Sequence, residues 1–252
     1  ILVSYLFSYI GIALLSCALI GTLIFNMFLS NLAKTELENN KRKIEQAVND
    51  MEEHLKILQS ISYDISFNIK YRPLYFQQNK YYEMLLLEDF SKYRGYSPVI
   101  SEYFLLYHTY DNVFLSSGYS NPVSIYFKRI LGINDMEIFC EKLSEVITPS
   151  VFPLPNSQKC IIAFPVWATM IAGAKPNATL CFLTSSEILL KRVDNIMGRL
   201  ENTNIKISIC GHQVAHHAMN TQEKDHVLHA VSPDGLVEIS LILTKKSVYG
   251  SI

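Results

Sequence analysis

The first thirty-three residues of the chain carry no charged side chain, and the first charge is Lys34. From Tyr5 to Leu29 the residues are apolar on every side rather than along one stripe, which is typical of a helix inside a membrane or a large core. About 20 apolar residues cross about 30 Å of hydrocarbon. A cleaved signal peptide would have a shorter apolar region and a small-x-small cleavage site. We therefore predict a retained transmembrane helix, residues 1–33, in contact with the lipid bilayer.

The segment from Asn31 to Asn68 contains neither glycine nor proline. Its apolar residues recur at intervals of three and four, which is the pattern of an a/d seam on a helix; they are Leu37, Ile44, Val48, Met51, Leu55, Leu58 and Ile65. We predict one long helix of about 55 Å that continues from the membrane. Its seam either pairs with a second copy, giving a homodimer, or packs on the chain's own sheet.

The rest of the chain predicts alternating helices and antiparallel strands, which is an α+β pattern. Helices are predicted over Tyr81–Arg94 (apolar set Met84, Leu85, Leu87 and Phe90), Val123–Leu131, Asp135–Val146 and Ser185–Leu200. Strands are predicted over Ile100–Tyr107, Val113–Ser117, Lys159–Ala168, Ala178–Thr184, Ile205–Cys210, His226–Val231 and Leu236–Leu243. Turn residues at Thr109–Asn112 and Gly173–Asn177 join two hairpins, and His212–His216 is predicted to be a loop.

Charge and motifs exclude several function classes. The net charge of −1 and the pI of about 6.7 provide no basic surface for nucleic acid, so nucleic acid would be bound only by a domain outside this chain. The sequence has no Gly-x-Gly-x-x-Gly, Walker lysine, Gly-x-Ser-x-Gly or His-Glu-x-x-His motif. Five of the seven histidines lie between His212 and His229, without a clear metal-ligand spacing. We expect no enzyme activity, no cofactor and no metal.

Four cysteines lie outside the apolar run, each beside apolar residues: Cys140, Cys160, Cys181 and Cys210. Four cysteines allow three pairings, between which sequence does not choose. Free cysteine is among the most buried residue types, so core packing is the first interpretation and one disulfide stays open.

Tyrosine is concentrated in one part of the chain, since twelve of the fifteen tyrosines lie between Tyr63 and Tyr126. A tyrosine offers a large apolar ring with one polar tip, which suits either the lining of a small-molecule pocket or ordinary packing of a sheet. Residues at strand ends or on the short helix that would cover them are predicted to line a pocket: Tyr107, Tyr119, Tyr126, Arg129 and Trp167. Arg129 would hold a carboxylate in a bidentate manner.

Several stretches together resemble a known arrangement. SYIGIALLSCALIGTLIFNMFLSNLAKTELENN followed by KRKIEQAVNDMEEHLKILQSISYDIS resembles the start of membrane-bound AraC-type transcriptional regulators of Gram-positive bacteria, and related sensor histidine kinases begin similarly. SEYFLLYHTYDNVFLSSGYS and ATLCFLTSSEILLKRVDNIMG resemble the first sheet and the linking helix of their sensors, and ISICGHQVAHHAM resembles the strand-turn-strand that opens the membrane-proximal module. The chain departs from the pattern at Ser16-Cys17-Ala18, where relatives often carry proline, and it lacks the Tyr, Arg, Trp and Asp spacing of amino-acid-binding Cache domains.

The resemblance implies a fold and a division of the chain. The fold is α+β, in which a transmembrane helix continues into a long helix and then into a double Cache (PAS-like) sensor with antiparallel sheets. The divisions are 1–33, the transmembrane helix; 34–70, the long membrane-exiting helix; 71–184, a membrane-distal module; and 185–252, the linking helix with a membrane-proximal module. A second membrane helix and an output domain are expected beyond Ile252.

The resemblance also implies a function: an extracytoplasmic sensor that binds a small molecule, such as a sugar or organic acid, or a partner protein. It would pass the signal across the cell membrane to a DNA-binding output domain. The sensor region of a histidine kinase or chemoreceptor is the alternative. Charges from Lys34 to Lys43 sum to +2, which by the positive-inside tendency favours a cytoplasmic flank. The extracytoplasmic placement of residues after 33 therefore rests on the resemblance.

Overall fold

The structure is a computed structural model that describes residues 2–77, 79–155, 157–168, 174–198, 203–217 and 226–243. It begins with a single helix, α1 (Leu2–Phe67), so the prediction of one uninterrupted helix is confirmed. α1 is the helix, among the described residues, that is long and apolar enough to cross a membrane. Phe7, Leu14 and Leu23 on its first part are 70%, 67% and 68% exposed. Apolar exposure on all sides is what a lipid-facing segment requires.

The second part of α1 is buried by the rest of the chain. The seam residues Ile44, Val48, Met51, Leu55, Leu58 and Ile65 are at most 4% exposed, and Leu37 is half-buried against the same cluster. The sequence left two packing partners open for this seam, a second copy of the chain or the chain's own sheet. The structure shows that the seam packs on the chain's own sheets. From residue 44 to residue 65, α1 is therefore a core helix as well as an extension of the apolar segment.

Short helices follow α1. A 3₁₀ turn (Ile69–Tyr71) leads into α2 (Pro73–Phe76) and α3 (Lys80–Ser91). Asn79 caps α3, since its side chain accepts a hydrogen bond from the backbone N–H of Tyr81 at 2.9 Å. The apolar set predicted for this helix was wrong at Met84, which is 56% exposed, whereas Leu86 is fully buried with Phe90. Leu86 and Phe90 are four residues apart and define the inner face.

Six antiparallel strands form the larger sheet, in the order β3-β2-β1-β6-β5-β4. They are β1 (Glu102–Tyr107), β2 (Asn112–Leu115), β3 (Ser120–Pro122), β4 (Ser150–Pro153), β5 (Lys159–Val166) and β6 (Ala178–Ser185). Both predicted hairpins are confirmed, because β1 pairs with β2 and β5 pairs with β6; Gly173, in the second predicted turn, lies outside the described residues. The edge strands β3 and β4 were not predicted.

Two helical segments lie between β3 and β4. α4 (Val123–Ile125) continues directly into a π-helical turn (Tyr126–Ile130), and α5 (Met136–Ser144) follows. The helices predicted over this region are therefore confirmed, with the first one wider than an α-helix over its second half. A π turn is rare and occurs mostly within α-helices, often at functional sites.

A linking helix, α6 (Ser186–Met197), leads to a smaller antiparallel sheet. The Ser185 hydroxyl caps α6 by accepting from the backbone N–H of Ile188 at 3.3 Å, as predicted, and Leu189 and Val193 on the predicted inner face are buried; Leu200 lies outside the described residues. The strands β7 (Thr203–Ile209), β8 (His212–His217), β9 (His226–Val231) and β10 (Val237–Leu243) are ordered β8-β7-β10-β9. The loop predicted at His212–His216 was wrong, because β8 pairs with β7 there.

The core has two parts, one on each face of the larger sheet. On one face, α1 packs on Leu105, Tyr107 and Phe182 and then, nearer the apolar segment, on the smaller sheet through residues such as Ile207 and Ile239. On the other face, a separate cluster lies under α4, the π turn and α5. Both sheets thus share α1 as their common support.

The cysteines Cys140, Cys160, Cys181 and Cys210 are free thiols. Cys160 and Cys181 are buried, and the other two are half-buried. The core-packing interpretation is confirmed, and burial raises the pKa of all four thiols.

Candidate functional site

The outer face of the larger sheet is closed by aromatic side chains. Phe104 of β1 lies under the π turn, with its ring centroid 5.1 Å from that of Tyr126 and 5.8 Å from that of Phe127. Phe139 of α5 continues this cluster to Phe152 of β4. Phe104, Tyr126 and Phe127 are fully buried. Between β1 and the π turn, these aromatic rings fill the space that a ligand would need.

A small polar group interrupts this apolar face. The imidazole of His108 lies between the carbonyl oxygen of Pro176, at 3.1 Å from Nδ1, and Oγ1 of Thr179, at 2.9 Å from Nε2. The Thr179 hydroxyl donates to the carbonyl oxygen of Leu143 at 2.7 Å, so the group connects the ends of β1, β6 and α5. Burial lowers the pKa of His108, and the hydrogen bond to Pro176 opposes that shift. This polar group is a structural connection, because His108 and Thr179 are bonded to each other and to the backbone carbonyl oxygens of Pro176 and Leu143.

The five residues predicted to line a pocket lie on different parts of the larger sheet. Tyr126 and Arg129 are on the π turn of the outer face, Tyr126 fully buried and Arg129 exposed. Tyr107 faces α1, and its hydroxyl donates to the carbonyl oxygen of Tyr71. Trp167 is half-buried after β5, and its backbone N–H donates to the hydroxyl of Ser66 of α1 at 3.1 Å. Tyr119 is 69% exposed at a turn. The structure therefore does not bring the five into one pocket, and their role in binding stays a prediction.

An open cleft lies instead on the α1 side of the sheet, where α3 turns into β1. Its space is about 330 Å³ including the mouth. The floor is made by Leu58 and Ile61 of α1 with Phe182 of β6, and the wall by the loop from Tyr93 to Ser101. Arg94 is exposed at the rim, beside the rings of Tyr93 and Tyr96, whose centroids are 5.7 Å apart.

The loop that forms this wall is held at both ends. Gly95 has a φ of +91°, a conformation that L side chains rarely adopt, and it reverses the chain after α3. The Thr184 hydroxyl donates to the carbonyl oxygen of Val99 at 2.6 Å, and the Ser101 N–H donates to Leu183 at 2.9 Å. Burial, with Asp64 and Asp89 nearby, raises the pKa of Tyr93 to about 12. The cleft is therefore preformed.

A second cleft is larger and more open. It lies between the start of α5 and β4, with a space of about 1,090 Å³ that includes solvent, and Ile138, Phe139, Lys142 and Phe152 line it. Ile138 is 56% exposed there. Among the described residues, no group of three or more His, Cys, Asp or Glu side chains comes together as metal ligands would.

Arg94 and Ser97, which line the cleft, were not predicted from the sequence. Both belong to the segment Tyr93-Arg-Gly-Tyr-Ser-Pro, whose glycine and proline only indicated where a helix ends. Its position inside the tyrosine-rich part of the chain was the available signal. This loop lies over α1 because the strand that follows it, β1, pairs with β6, and β6 comes about 80 residues later in the chain than β1.

A polar bridge joins α1 to the linking helix α6. Arg192 contacts Asp50 through two hydrogen bonds, Nε to Oδ2 at 2.7 Å and Nη2 to Oδ1 at 2.5 Å, a bidentate geometry that fixes orientation. Lys43 donates to the carbonyl oxygen of Met197 at 2.8 Å, at the end of α6. The Arg192 hydrogen bonds hold the pKa of Asp50 below its usual range. α6 is thus fixed to α1 at two points.

Acidification is expected to destabilise the fold through His54, which lies beside this bridge. Burial, with Arg192 close by, holds the pKa of His54 below its ordinary value of 6.5 even though Asp50 opposes the shift. Below about pH 6.5 the unfolded chain takes up a proton that the folded chain resists, so the free energy of unfolding falls as the pH falls. The Asp50 contribution is present above its unfolded pKa of about 3.9 and is lost only below it. We expect the melting temperature to decrease from pH 7 to pH 5.

His54→Gln should make the melting temperature less dependent on pH in that window, while His108, whose pKa is also lowered, leaves a residual slope. His216→Gln, at an exposed position of β8, is the matched control and should keep the wild-type slope. Equal slopes for all three proteins would contradict the assignment to His54.

No protein-family model matches the chain, and no curated protein matches its sequence significantly. Solved structures do match in shape. The sensor domain of the V. cholerae histidine kinase DctB has a TM-score of 0.50 at 11% identity, with 84% of this chain and 98% of that chain covered. The ligand-binding domain of Mlp24, solved with asparagine, has 0.49 at 14% identity, covering 89% and 97%. The periplasmic domain of Vibrio cholerae LuxQ has 0.45 at 12% identity, covering 82% and 98%.

The likeness to the DctB sensor domain shows the class of fold: a long helix that supports two antiparallel sheets, as in Cache sensor domains. The predicted fold class is therefore confirmed. The similar structures are a histidine kinase sensor domain, a ligand-binding domain and a periplasmic domain. The long apolar helix of this chain fits a membrane protein. The AraC-type part of the resemblance receives no support from them.

Proposed function

We propose that this chain is the extracytoplasmic sensing region of a membrane-bound signalling protein, with the apolar part of α1 as its transmembrane helix. The observation that carries the proposal is the continuity of α1. One unbroken helix has an apolar first part whose described side chains are mostly exposed and a second part that packs in the core shared by both sheets. A change in how the sheets pack on residues 44–65 would therefore act directly on the membrane segment.

The sensor acts, on this proposal, by binding rather than by catalysis. A small-molecule ligand is supported by the similar ligand-binding domain of Mlp24, which was solved with asparagine. A ligand shifts the equilibrium between two states of α1 only by its difference in affinity for them. The polar bridge of Asp50 to Arg192 connects α1 with α6, so both sheets would respond together.

Two output domains are proposed as alternatives. Resemblance of the apolar helix and the 41–66 segment supports a DNA-binding domain of the AraC type. The likeness in fold to a histidine kinase sensor domain supports a kinase. Reading the codons beyond Ile252 decides between them: paired helix-turn-helix units would support the first, a kinase core the second, and a long coiled coil would indicate a chemoreceptor.

Fusions at residue 252 test the extracytoplasmic placement. We expect alkaline phosphatase, which is active only outside the cytoplasm, to be active when fused there, and green fluorescent protein at the same point to be dark after export in unfolded form. The control pair carries both reporters after residue 252 of a chain that lacks residues 1–33, which should reverse the two signals. If the green fluorescent protein fusion of the whole chain is fluorescent and the phosphatase fusion is inactive, the domain lies in the cytoplasm and the proposal is overturned.

A further inference from the structure

The strand β9 forms one edge of the smaller sheet, with β10 on one side of it only. The N–H of Ser232 donates to the carbonyl oxygen of Val237 at 2.8 Å, and in an antiparallel ladder every second residue bonds to the neighbouring strand. The alternate residues Val227, His229 and Val231 therefore turn their N–H and C=O groups outward, where no described residue bonds to them. These groups form a row of donors and acceptors that repeats every 6.8 Å or so, about two residues of a strand.

The side chains along this edge are apolar and accessible. Val227 and Val231 are 63% and 50% exposed, and His229 between them is exposed on the same face. The sequence of the whole strand is HVLHAV, which contains no proline, glycine, lysine, arginine or carboxylate. An exposed apolar edge strand without such residues is a template for pairing with another chain.

The other three edges of the two sheets, among the described strands, are protected. β3 has three residues and ends in Pro122. β4 ends in Pro153, an outward position that has no N–H to offer. The pairing of β8 with β7 shifts register between Ile207 and Ser208, and the exposed residues of β8 are polar; such irregularities twist an edge away from a partner. The open edge of β9 is therefore a particular feature of that strand.

From this arrangement we infer that β9 binds an extended peptide segment of a partner protein, which joins the four strands of the smaller sheet as one more strand. An extended segment supplies main-chain donors and acceptors at the same repeat, whereas a helix has already bonded its own groups internally. Val227 and Val231 favour β-branched side chains on the outer face of the added strand. The absence of charge along β9 favours an uncharged segment, because a carboxylate or ammonium group placed there would be desolvated without a partner.

A second copy of the chain does not fit this edge when both copies span one membrane. β9 runs away from the apolar part of α1, because the turn after it contacts Lys56 through Asp234 at 3.1 Å, and β10 returns to Leu243, in the cluster on which Leu37 packs. Two copies of the same orientation would present β9 in parallel. A two-fold axis pairs like residues, whereas parallel strands bond in a staggered register. The occupant is therefore a segment of a different protein.

Strand addition at this edge acts next to α1. Leu228 and Ala230 of β9 pack in the same apolar cluster as the seam residues of α1. A partner bound to β9 would therefore change the packing on the helix that continues into the apolar segment. This step and the exclusion of a second copy rest on the proposed function; the binding of a strand to β9 does not.

Calorimetric titration of the full chain, residues 1–252 in lipid nanodiscs, tests the inference with the capped heptapeptide TVTITVT, N-methylated at every second residue. The methyl groups block one edge of the peptide, so that it does not form fibrils, and leave the other edge free to pair. We expect a dissociation constant between about 10 µM and 1 mM, because ordering a short peptide offsets much of its bonding. The same peptide methylated at every residue keeps the side chains without the N–H donors and should bind at least about tenfold more weakly.

Hydrogen exchange locates the bound strand. The outward amides of Val227, His229 and Val231 should exchange rapidly in the free chain and slow down by about tenfold or more with saturating half-methylated peptide. The amides of β8, at the opposite edge of the same sheet, are the internal control and should not change. Absence of peptide binding would overturn the inference, and so would protection of β8 in place of β9.

Proline substitutions test the outward N–H groups directly. Val227→Pro with Val231→Pro removes two donors that point away from β10, so it should weaken peptide binding by about tenfold or more. Val227→Thr with Val231→Thr keeps both donors on β-branched residues and should bind as the wild type does. Val227→Glu with Val231→Glu replaces the proline variant if that variant is unstable; its charges protect the edge and should also weaken binding. Unchanged binding by both the proline and the glutamate variants would contradict the inference.

The outcomes separate this inference from its alternatives and from the proposed function. Slow exchange of the β9 amides without peptide, in discs that hold two chains and not in discs that hold one, would assign the edge to a second copy and overturn the partner assignment. Peptide binding does not depend on which side of the membrane the domain occupies, whereas the reporter fusions depend on nothing else. An active phosphatase fusion without peptide binding would leave the proposed function and remove the strand site; binding with an inactive fusion would do the reverse.

Discussion

Replacing Leu15 and Leu19 together by arginine is expected to release the chain from the membrane. Both side chains lie in the apolar part of α1, where Leu15 is 66% and Leu19 58% exposed. An arginine at the centre of a membrane helix costs about 2.5–3.5 kcal/mol on insertion scales. Two of them should abolish stable insertion of a helix that has no partner helix among the described residues.

The measurement is the fraction of the chain that stays in membranes after an alkaline carbonate wash. Leu15→Ile with Leu19→Ile is the control, since it keeps the apolar surface, and it should remain in the membrane fraction. An epitope tag at residue 1 shows whether the apolar run is retained, as predicted, or removed with a signal peptide. A double arginine variant that is still extracted with membranes would show that this segment is not the anchor.

The same variant tests whether the domain depends on the apolar segment. Residues 5–43 contain no buried side chain among those that the structure describes. We therefore expect the melting temperature of the double arginine variant to match that of the wild type in detergent. A large decrease would mean that the apolar run packs on the domain.

Elements with a strong local pattern could be predicted from the sequence. α1 has a seam at helical intervals and no helix breaker after Gly21, and the two hairpins have apolar strands around turn residues. β8 was missed because its residues, His212–His217, are largely polar and lie on an edge strand. Only the pairing with β7, whose buried residues Ile205 and Ile207 supply the apolar face, makes this segment a strand.

The candidate site could be predicted less well, because residue types do not tell which face of a sheet they occupy. Tyrosine was correctly identified as abundant around the first hairpin, yet Tyr107 packs toward α1 and Tyr126 fills the outer face. Arg94 and Ser97 have no periodicity, and they meet α1 only because β1 pairs with the distant strand β6. Long-range pairing decides the composition of the cleft, and a single sequence does not display it.

Val48→Asp is expected to unfold the domain, and it decides how the seam of α1 is used. Val48 is 1% exposed within the single chain. An unpaired carboxylate at this position would lose the apolar burial and add a desolvation cost of several kcal/mol, which is comparable to the whole stability of a typical domain, about 5–15 kcal/mol. Both sheets should be lost in one transition, because they share one apolar cluster with α1.

Asn49→Asp introduces the same side chain one residue later, at an exposed position, and should change the melting temperature by only a degree or two, since surface substitutions lie within about 0.5 kcal/mol. If the seam packed on a second copy instead, the melting temperature of the wild type would rise with protein concentration, and Val48→Asp would give a folded monomer. We expect neither, because the chain's own sheets already cover residues 44–65. Contact between two copies of the chain would then have to use the exposed face of α1, and the seam would stay packed on the chain's own sheets.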